Sequence, residues 1–322
     1  RRAARRNSPP TASHSMSPTH STTTESPLPP LTQDSHELAR LYALHAWRDA
    51  QDALAGLYHS HYHGSGLDFA ELREYQPGDD ERAVHWPLSL RKGKLLSKVF
   101  QEERSTDLLL LFDASPSMRL FAATWQCALR SAALLAACAI GCQDAVGAMV
   151  LAQNASRDIP PTRGRRQLSR LLKEMMDAEN GDNVAAPLTL GVALEQLLAR
   201  RKQRTRVVVI GDLIGNTSYA TPLRALAQRH DVLICQILER APALPANGTS
   251  VNIRDAKTGQ TLSVPTGDRV WRESAAATHI ALLANSAAAA KAAGAGYLLL
   301  SPSDDPLAAL CLYFAAKPQP RR

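Results

Sequence analysis

The sequence predicts an α/β fold: a doubly wound, mostly parallel sheet with helices on both faces. From residue 106 onward, short apolar runs alternate with longer segments of helical periodicity. The runs are too short for helices and are continuously apolar, which is typical of strands buried on both faces. Two of them end in an acidic residue, Asp113 and Asp212. Ligands of such sheets bind at the carboxyl ends of the strands.

The alternation gives the position of each element. Strands are predicted at 107–112, 145–152, 206–211, 231–238 and 296–300, with a short antiparallel strand near 155–160. Helices are predicted at 122–141, 164–178, 188–202, 219–229, 271–293 and 304–314. Between 239 and 268 the pattern breaks, and two short apolar segments flank Lys257-Thr258-Gly259, which predicts an inserted β-hairpin.

The chain divides by composition into four parts. Residues 1–35 are rich in Ser, Thr and Pro and lack apolar anchors, so a disordered basic tail is predicted there. Residues 36–104 contain a helical pattern to Tyr58 and then a turn-rich segment from His59. The α/β domain is placed at 105–316, and 317–322 form a second tail.

Composition excludes several classes of protein. With 322 residues, 45% hydrophobic and 21% charged, the chain is typical of a globular protein. Its net charge of +7 is scattered and only 5% of residues are aromatic, so no nucleic-acid partner is expected. Three of the five cysteines (Cys127, Cys138 and Cys142) share one apolar helical pattern, which predicts buried free thiols rather than disulfides.

The apolar stretches also led to a prediction of location. The most apolar one, Ser131–Cys142, is shorter than a bilayer requires. The arginine-rich beginning of the sequence is not followed by an apolar stretch, so no signal peptide is expected. These patterns predict a cytoplasmic protein without an integral membrane segment.

The strand end at Asp113 is the strongest candidate for a ligand site. Asp113, Ser115 and Ser117 place a carboxylate and two hydroxyls in one short loop. Oxygen donors of this kind suit Mg²⁺ or Mn²⁺. Asp212 ends a strand expected to lie beside this one and is a further candidate. The alternatives are a simple Ser/Pro turn at 113–117 and a helix N-cap at Asp212.

The Asp-x-Ser-x-Ser segment resembles the metal-ion-dependent adhesion site of von Willebrand factor type A domains. That resemblance implies Asp113, Ser115 and Ser117 as direct ligands and Asp212 as a ligand through water. In these domains a threonine completes the site, in a pattern like Gly-Gly-Thr-x-Leu-Gly-x-Ala-Leu. Aligned on residues 190–194, that position holds Leu188, and Thr189 is displaced by one residue. Weak metal binding is therefore expected, with Thr189 a ligand only if the loop has shifted.

A longer resemblance begins upstream, at Gly64–Arg82, and continues through Trp86, Arg91 and Phe100–Arg104. Together with Leu244-Pro245 and Asp255–Gly259, these segments resemble the bacterial family known as domain of unknown function 58, over roughly residues 56–314. Such proteins are commonly associated with MoxR-type AAA+ ATPases. The resemblance implies an adaptor that helps such an ATPase mature or remodel a client protein complex.

The charged turn in this upstream segment has two interpretations. Arg73, Asp79, Asp80 and Arg82 surround a Pro-Gly turn. They either pin the segment to the sheet through ion pairs or bind a partner.

Two other functions remain open. A metal-dependent hydrolase would need a general base, and His85 or His279 are the candidates. A metal-free scaffold would follow if Leu188 marks a degenerate site. The sequence contains no P-loop motif and no nucleophile elbow, so we expect a binding protein rather than an enzyme.

Overall fold

The computed structural model describes residues 34–63, 68–76, 84–101, 106–152, 156–178, 189–214, 218–240, 250–254 and 260–316. The predicted tails therefore lie outside the described residues, apart from Asp34 and Ser35. The strands are β1 (Asp68–Glu74), β2 (Leu96–Gln101), β3 (Leu108–Asp113), β4 (Val146–Leu151), β5 (Ser156–Thr162), β6 (Arg206–Gly211), β7 (Asp231–Ile237), β8 (Val251–Arg254), β9 (Thr261–Val264) and β10 (Gly296–Leu300). The helices are α1 (Ser35–Asp49), α2 (Ala55–His63), α3 (Trp86–Lys92), α4 (Pro116–Arg119), α5 (Ala122–Gly141), α6 (Arg165–Met176), α7 (Leu190–Arg200), α8 (Ala220–Arg229), α9 (Arg269–Ala293) and α10 (Pro306–Ala316).

Six strands form the central sheet in the order β10-β7-β6-β3-β4-β5. Every neighbouring pair is parallel except β4 and β5, which are antiparallel. β3 lies in the middle between β4 and β6, so Asp113 and Asp212 follow adjacent strands. The predicted fold class and the predicted neighbourhood of these two strands are confirmed.

Helices cover both faces of the sheet, and β3 contributes alternate residues to each. Leu108, Leu110 and Phe112 pack with α5, α6, α10 and the N-terminal helices. Leu109 and Leu111 face the opposite layer, which contains residues of α7, α8 and α9. All five are at most 1% exposed, so the continuous apolar run of β3 is buried on both faces, as the sequence predicts.

The N-terminal helix is longer than predicted. A π-helical segment, Ala50–Leu54, joins α1 to α2, and α2 ends at His63 rather than Tyr58. The π-helical segment packs on α5, where the Gln51 amide lies in the space that a Cβ of Gly141 would fill. A glycine at the end of α5 thus permits the close approach of the π-helical segment to α5. Helical periodicity in the sequence does not predict this contact.

Two small antiparallel ladders lie outside the central sheet. β1 pairs with β2, and α3 precedes β2 in the chain, so the segment expected to be turn-rich contains two strands and a helix. The missed pairing joins distant residues, Asp68 with Gln101 at one end. The second ladder is the β8–β9 hairpin, which confirms the predicted insertion.

Helix α5 corrects the prediction about apolar stretches. It has 20 residues and is, by length and composition, apolar enough to cross a membrane. Its most apolar window is 78% buried inside the protein. The sequence-based estimate was too short because it began at Ser131, whereas the helix begins at Ala122 and Trp125, Cys127 and Leu129 extend its apolar face.

The amino end of the sheet contains a buried ion pair. Arg206, the first residue of β6, donates to Asp144 Oδ2 over 2.5 Å, and the two side chains are 3% and 0% exposed. The ring of Tyr62 in α2 lies 4.6 Å from the Arg206 guanidinium carbon. Beside the start of β7, His230 Nδ1 accepts a hydrogen bond from the Thr205 amide at 3.2 Å. Burial, reinforced by the Arg229 charge, lowers the pKa of His230.

Candidate functional site

The loop after β3 is built around the Asp113 carboxylate. Asp113 Oδ1 accepts a hydrogen bond from the Ser115 amide at 2.9 Å, which turns the chain sharply away from the strand. Pro116 then occupies the first position of α4, where its missing amide hydrogen costs nothing. Asp113, Ser115 and Ser117 are all half-buried, so the loop is accessible at the carboxyl end of the sheet.

The two serine hydroxyls have the spacing of metal ligands. Ser115 Oγ and Ser117 Oγ lie 3.1 Å apart. Two neighbouring oxygens of an octahedral Mg²⁺ site, each about 2.1 Å from the ion, are separated by about 3.0 Å. The distance also permits a hydrogen bond between the hydroxyls, so the pair is preorganised whether or not an ion is bound. Together with the Asp113 carboxylate, this donor set fits a small, hard cation.

Gly211 brings the end of β6 against Asp113. A Cβ at position 211 would lie 2.7 Å from Asp113 Cβ and 3.2 Å from Asp113 Oδ2, so only glycine allows this approach. Asp212 follows and is 3% exposed. Its Oδ1 accepts from the Ile214 amide at 2.9 Å, and its carbonyl accepts from Gln236 Nε2 at 2.8 Å. The Asp212 carboxylate thus bonds within its own loop, whereas the N-cap residue of the next described helix, α8, is Tyr219.

Thr189 lies at the start of α7. It is the N-cap residue, and its hydroxyl accepts from the Val192 amide at 3.4 Å. The first turn of α7 packs closely on Ser218, because a Cβ at Gly191 would lie 3.2 Å from the Ser218 carbonyl oxygen. Leu188 lies outside the described residues. The expectation that Thr189 serves as a ligand only after a shift of this loop therefore stays a prediction.

Arg119 holds the loop that contains Asp113, Ser115 and Ser117 against the neighbouring helices. Its guanidinium donates to the carbonyls of Ala114, Met175 and Met176 at 3.2–3.3 Å. It also stacks over Trp125, with 4.2 Å between the guanidinium carbon and the ring centroid. These contacts fix the loop to the end of α6 and the start of α5.

Exposed apolar side chains accompany the candidate ligands, a feature that the sequence analysis missed. Leu120 and Phe121 follow α4 and are 61% and 63% exposed, and Ile214 near Asp212 is 39% exposed. The sequence signal was available: apolar residues directly follow a polar loop and precede the predicted helix. Their exposure gives the polar site an apolar border suited to contact with another molecule.

The remaining candidates lie elsewhere or outside the described residues. Arg73 is half-buried in β1, while Asp79, Asp80 and Arg82 fall outside the description. Each proposed base has a hydrogen-bond partner: His85 Nδ1 caps α3 at the Leu88 amide (3.3 Å), and His279 Nε2 contacts the Glu239 carbonyl (2.6 Å). Within the described ranges, no group of three or more His, Cys, Asp or Glu side chains could hold a metal, so a site here depends on hydroxyls.

Comparison with known proteins gives uncharacterised relatives and distant structural neighbours. The chain is 29% identical over 262 residues to uncharacterized protein Rv1480 of Mycobacterium tuberculosis, covering 79% of this chain and 80% of that protein. A von Willebrand factor type A structure from Catenulispora acidiphila is 10% identical (68% of this chain and 43% of that chain, TM-score 0.35). An aerotolerance-related membrane protein from Bacteroides fragilis is 15% identical (64% and 94%, TM-score 0.39).

The prediction of a cytoplasmic location is contradicted. It depended on the absence of any apolar stretch long enough to cross a bilayer, and α5 is such a stretch by length and composition.

The family model for "Protein of unknown function DUF58" matches residues 71–281, which include the sheet up to β7, the hairpin and much of α9. The match confirms the resemblance inferred from the upstream signature and from the strand ending in Asp113. This chain belongs to the DUF58 family.

Proposed function

We propose that this protein is an interaction adaptor that binds a partner protein at the carboxyl end of its sheet, with a divalent cation held by Asp113, Ser115 and Ser117. The observation that carries the proposal is the pair of hydroxyls 3.1 Å apart beside a carboxylate in an accessible loop. The family and the fold suggest an interaction or adhesion role, which supports it.

The chain's own residues would divide the work of binding. Asp113 and the two serines would hold Mg²⁺ or Mn²⁺, with Asp212 acting through water. When bound, the ion supplies a positive charge and an open coordination position for a carboxylate of the partner. Leu120 and Phe121 would contact apolar groups beside that carboxylate, and Arg119 keeps the loop in place.

The partner expected from the family resemblance is a MoxR-type AAA+ ATPase, acting with this protein on a client. Binding is favoured over hydrolysis, because His85 bonds to the start of α3 and His279 bonds to the Glu239 carbonyl, and neither contact is to the loop of Asp113.

Calorimetric titration with Mg²⁺ and Mn²⁺ tests the metal site. We expect weak binding by the wild-type protein and none by Asp113→Ala. Asp158→Ala is the matched control. Asp158 is a surface carboxylate on the edge strand β5, and it pairs with Arg200 of α7. Identical metal binding by the wild type and Asp113→Ala would refute the assignment.

A metal-free scaffold is the second candidate, and two observations favour it. Thr189 caps its own helix, and Asp212 bonds to its own loop. Partner capture in the presence of Mg²⁺ or of a chelator distinguishes the two. The adaptor with a metal requires capture that is lost with the chelator and in Asp113→Ala, whereas the scaffold requires capture that survives both.

A further inference from the structure

A second surface lies on the unit formed by β1, α3 and β2. Among the described side chains of this unit, three large apolar ones are exposed: Trp86 (57%), Leu90 (80%) and Leu95 (50%). Trp86 and Leu90 are four residues apart on α3 and therefore share one face of the helix. Leu95 immediately precedes β2, in the turn that follows α3.

Cationic side chains flank these apolar groups. Arg91, Lys92 and Lys94 are exposed in the last turn of α3 and the turn after it. The sequence contains no Asp or Glu between residues 84 and 101, and the acidic residues of this unit, Asp68, Glu71 and Glu74, all lie on β1. Lys94 pairs with Glu74 across the ladder at 2.6 Å, with both side chains about two-thirds exposed. We call Trp86, Leu90, Leu95, Arg91, Lys92 and Lys94 the cationic-apolar patch.

The local structure holds the patch in one place. Gly93 ends α3 in the left-handed conformation (φ 66°), which reverses the chain directly into β2. Ser89 Oγ, buried under the helix, bonds to the His85 carbonyl and accepts from the Leu96 amide at 2.9 Å. The Leu95 carbonyl accepts from the Tyr75 amide, also at 2.9 Å. The helix, the turn and the strand are thus tied together, and the exposed side chains point outward from an ordered corner.

We infer that the cationic-apolar patch binds the surface of a membrane that contains anionic lipids. Tryptophan and leucine beside lysine and arginine are the combination that partitions into the headgroup region, because the apolar groups enter the acyl boundary and the cations meet lipid phosphates. Charge complementarity favours an anionic surface over a neutral one, since each Lys or Arg adds attraction near such a surface. The inference is independent of the metal proposed at Asp113.

Co-sedimentation of the purified full-length chain with vesicles tests this inference. The vesicles are phosphatidylcholine with phosphatidylglycerol, or phosphatidylcholine alone. We expect binding to the anionic vesicles that weakens with added salt. The double variant Arg91→Gln/Lys92→Gln should bind about thirtyfold more weakly, since each charge near the surface contributes roughly a fivefold factor. Arg166→Gln/Arg170→Gln on α6 removes two exposed charges elsewhere and should bind as the wild type does.

A second pair of variants tests the apolar part. Leu90→Ala should lower vesicle binding about fivefold, because less apolar surface leaves water. Leu44→Ala, at another exposed leucine (68%) on α1, should leave it unchanged. Asp113→Ala should also bind vesicles normally, so failure of the metal proposal leaves this result intact.

Several outcomes would overturn the inference. These are equal binding to neutral and anionic vesicles, an equal loss in the α6 control, and wild-type binding by the α3 variants. Self-association abolished by Leu90→Ala, without vesicle binding, would assign the patch to a second copy of the chain. Binding to an acidic protein without binding to vesicles would assign it to a protein partner.

Discussion

The charged side chains at the two ends of the central sheet differ in burial and in pairing. At the amino end, Asp144 and Arg206 are almost completely buried, bonded to each other and covered by Tyr62 of α2. At the carboxyl end, Asp113, Ser115 and Ser117 are half-buried in a loop bordered by exposed apolar side chains. The first arrangement is closed by the protein itself, whereas the second presents oxygen atoms to the surroundings.

This difference indicates which end stabilises the fold and which end is available for binding. A buried charge needs its partner, because an uncompensated charge away from water is costly. A half-exposed carboxylate can be removed at little cost in folding, since water replaces what is lost. Variants at the two ends should therefore separate stability from binding.

The largest effect is expected at the buried pair. Asp144→Ala leaves the Arg206 guanidinium buried without its counter-charge, and should lower the free energy of unfolding by roughly 3–5 kcal/mol. Urea denaturation followed by circular dichroism measures this. Asp158→Ala, which breaks the exposed pair with Arg200, should cost less than about 1 kcal/mol. Equal losses in the two variants would contradict the comparison.

A smaller effect is expected where β6 meets Asp113. Gly211→Ala places a methyl group against the Asp113 side chain and should destabilise the protein by roughly 1–3 kcal/mol. It should also weaken metal binding, because Asp113 must move. Gly56→Ala is the control: beyond its own helical turn, no described atom lies within 4 Å of the added Cβ, and alanine favours the helix by up to about 1 kcal/mol. If Gly211→Ala left the free energy of unfolding unchanged, the close approach of β6 to the Asp113 side chain would be contradicted.

His230 gives the amino end a dependence on pH. Its Nδ1 accepts from the Thr205 amide and its pKa is lowered by burial, so the folded protein resists the proton that the unfolded chain takes up below about pH 6.5. This contribution is present above that pH and is lost as the pH falls toward the lower, folded pKa, by at most about 1.4 kcal/mol per pH unit. In His230→Gln, the free energy of unfolding measured by urea denaturation should depend less on pH between neutral and mildly acidic conditions. An unchanged slope would exclude His230 as its source.

The smallest effect is expected for the N-terminal tail. A chain that begins at Asp34 should keep the melting temperature of the full-length protein, because the residues before it carry few apolar anchors. Asp34 must remain, since its Oδ1 accepts from the His36 amide at 3.1 Å and caps α1. A chain that begins at His36 should lose about 1 kcal/mol. A large drop on removal of residues 1–33 alone would show that the tail is docked.

The sequence was sufficient for the central sheet because its strands and helices carry strong local periodicity. Each predicted strand of the sheet is found within one or two residues of its place, including the antiparallel β5. The β1–α3–β2 unit was missed because its ladder pairs residues far apart in a stretch of turn signals. The π-helical segment was missed because it depends on a tertiary contact at Gly141.

The candidate site was predictable in its residues but not in its internal bonds. Asp113 and Asp212 could be placed on adjacent strands from topology alone. The orientation of each carboxylate depends on the following turn, and here both accept from amides two residues later. The apolar residues Leu120 and Phe121 are visible in the sequence between the polar loop and the predicted helix, but their exposure depends on the packing of the whole chain.

Helix α5 has a consequence for synthesis of the protein on the ribosome. Its apolar residues emerge after α1 and α2, which already pack on it, but well before α10, which completes its cover. At ordinary elongation rates this interval lasts roughly ten to thirty seconds, during which a segment with the length and hydropathy of a membrane anchor is only partly shielded. A nascent chain without the N-terminal helices would therefore leave more of the apolar surface of α5 uncovered during this interval.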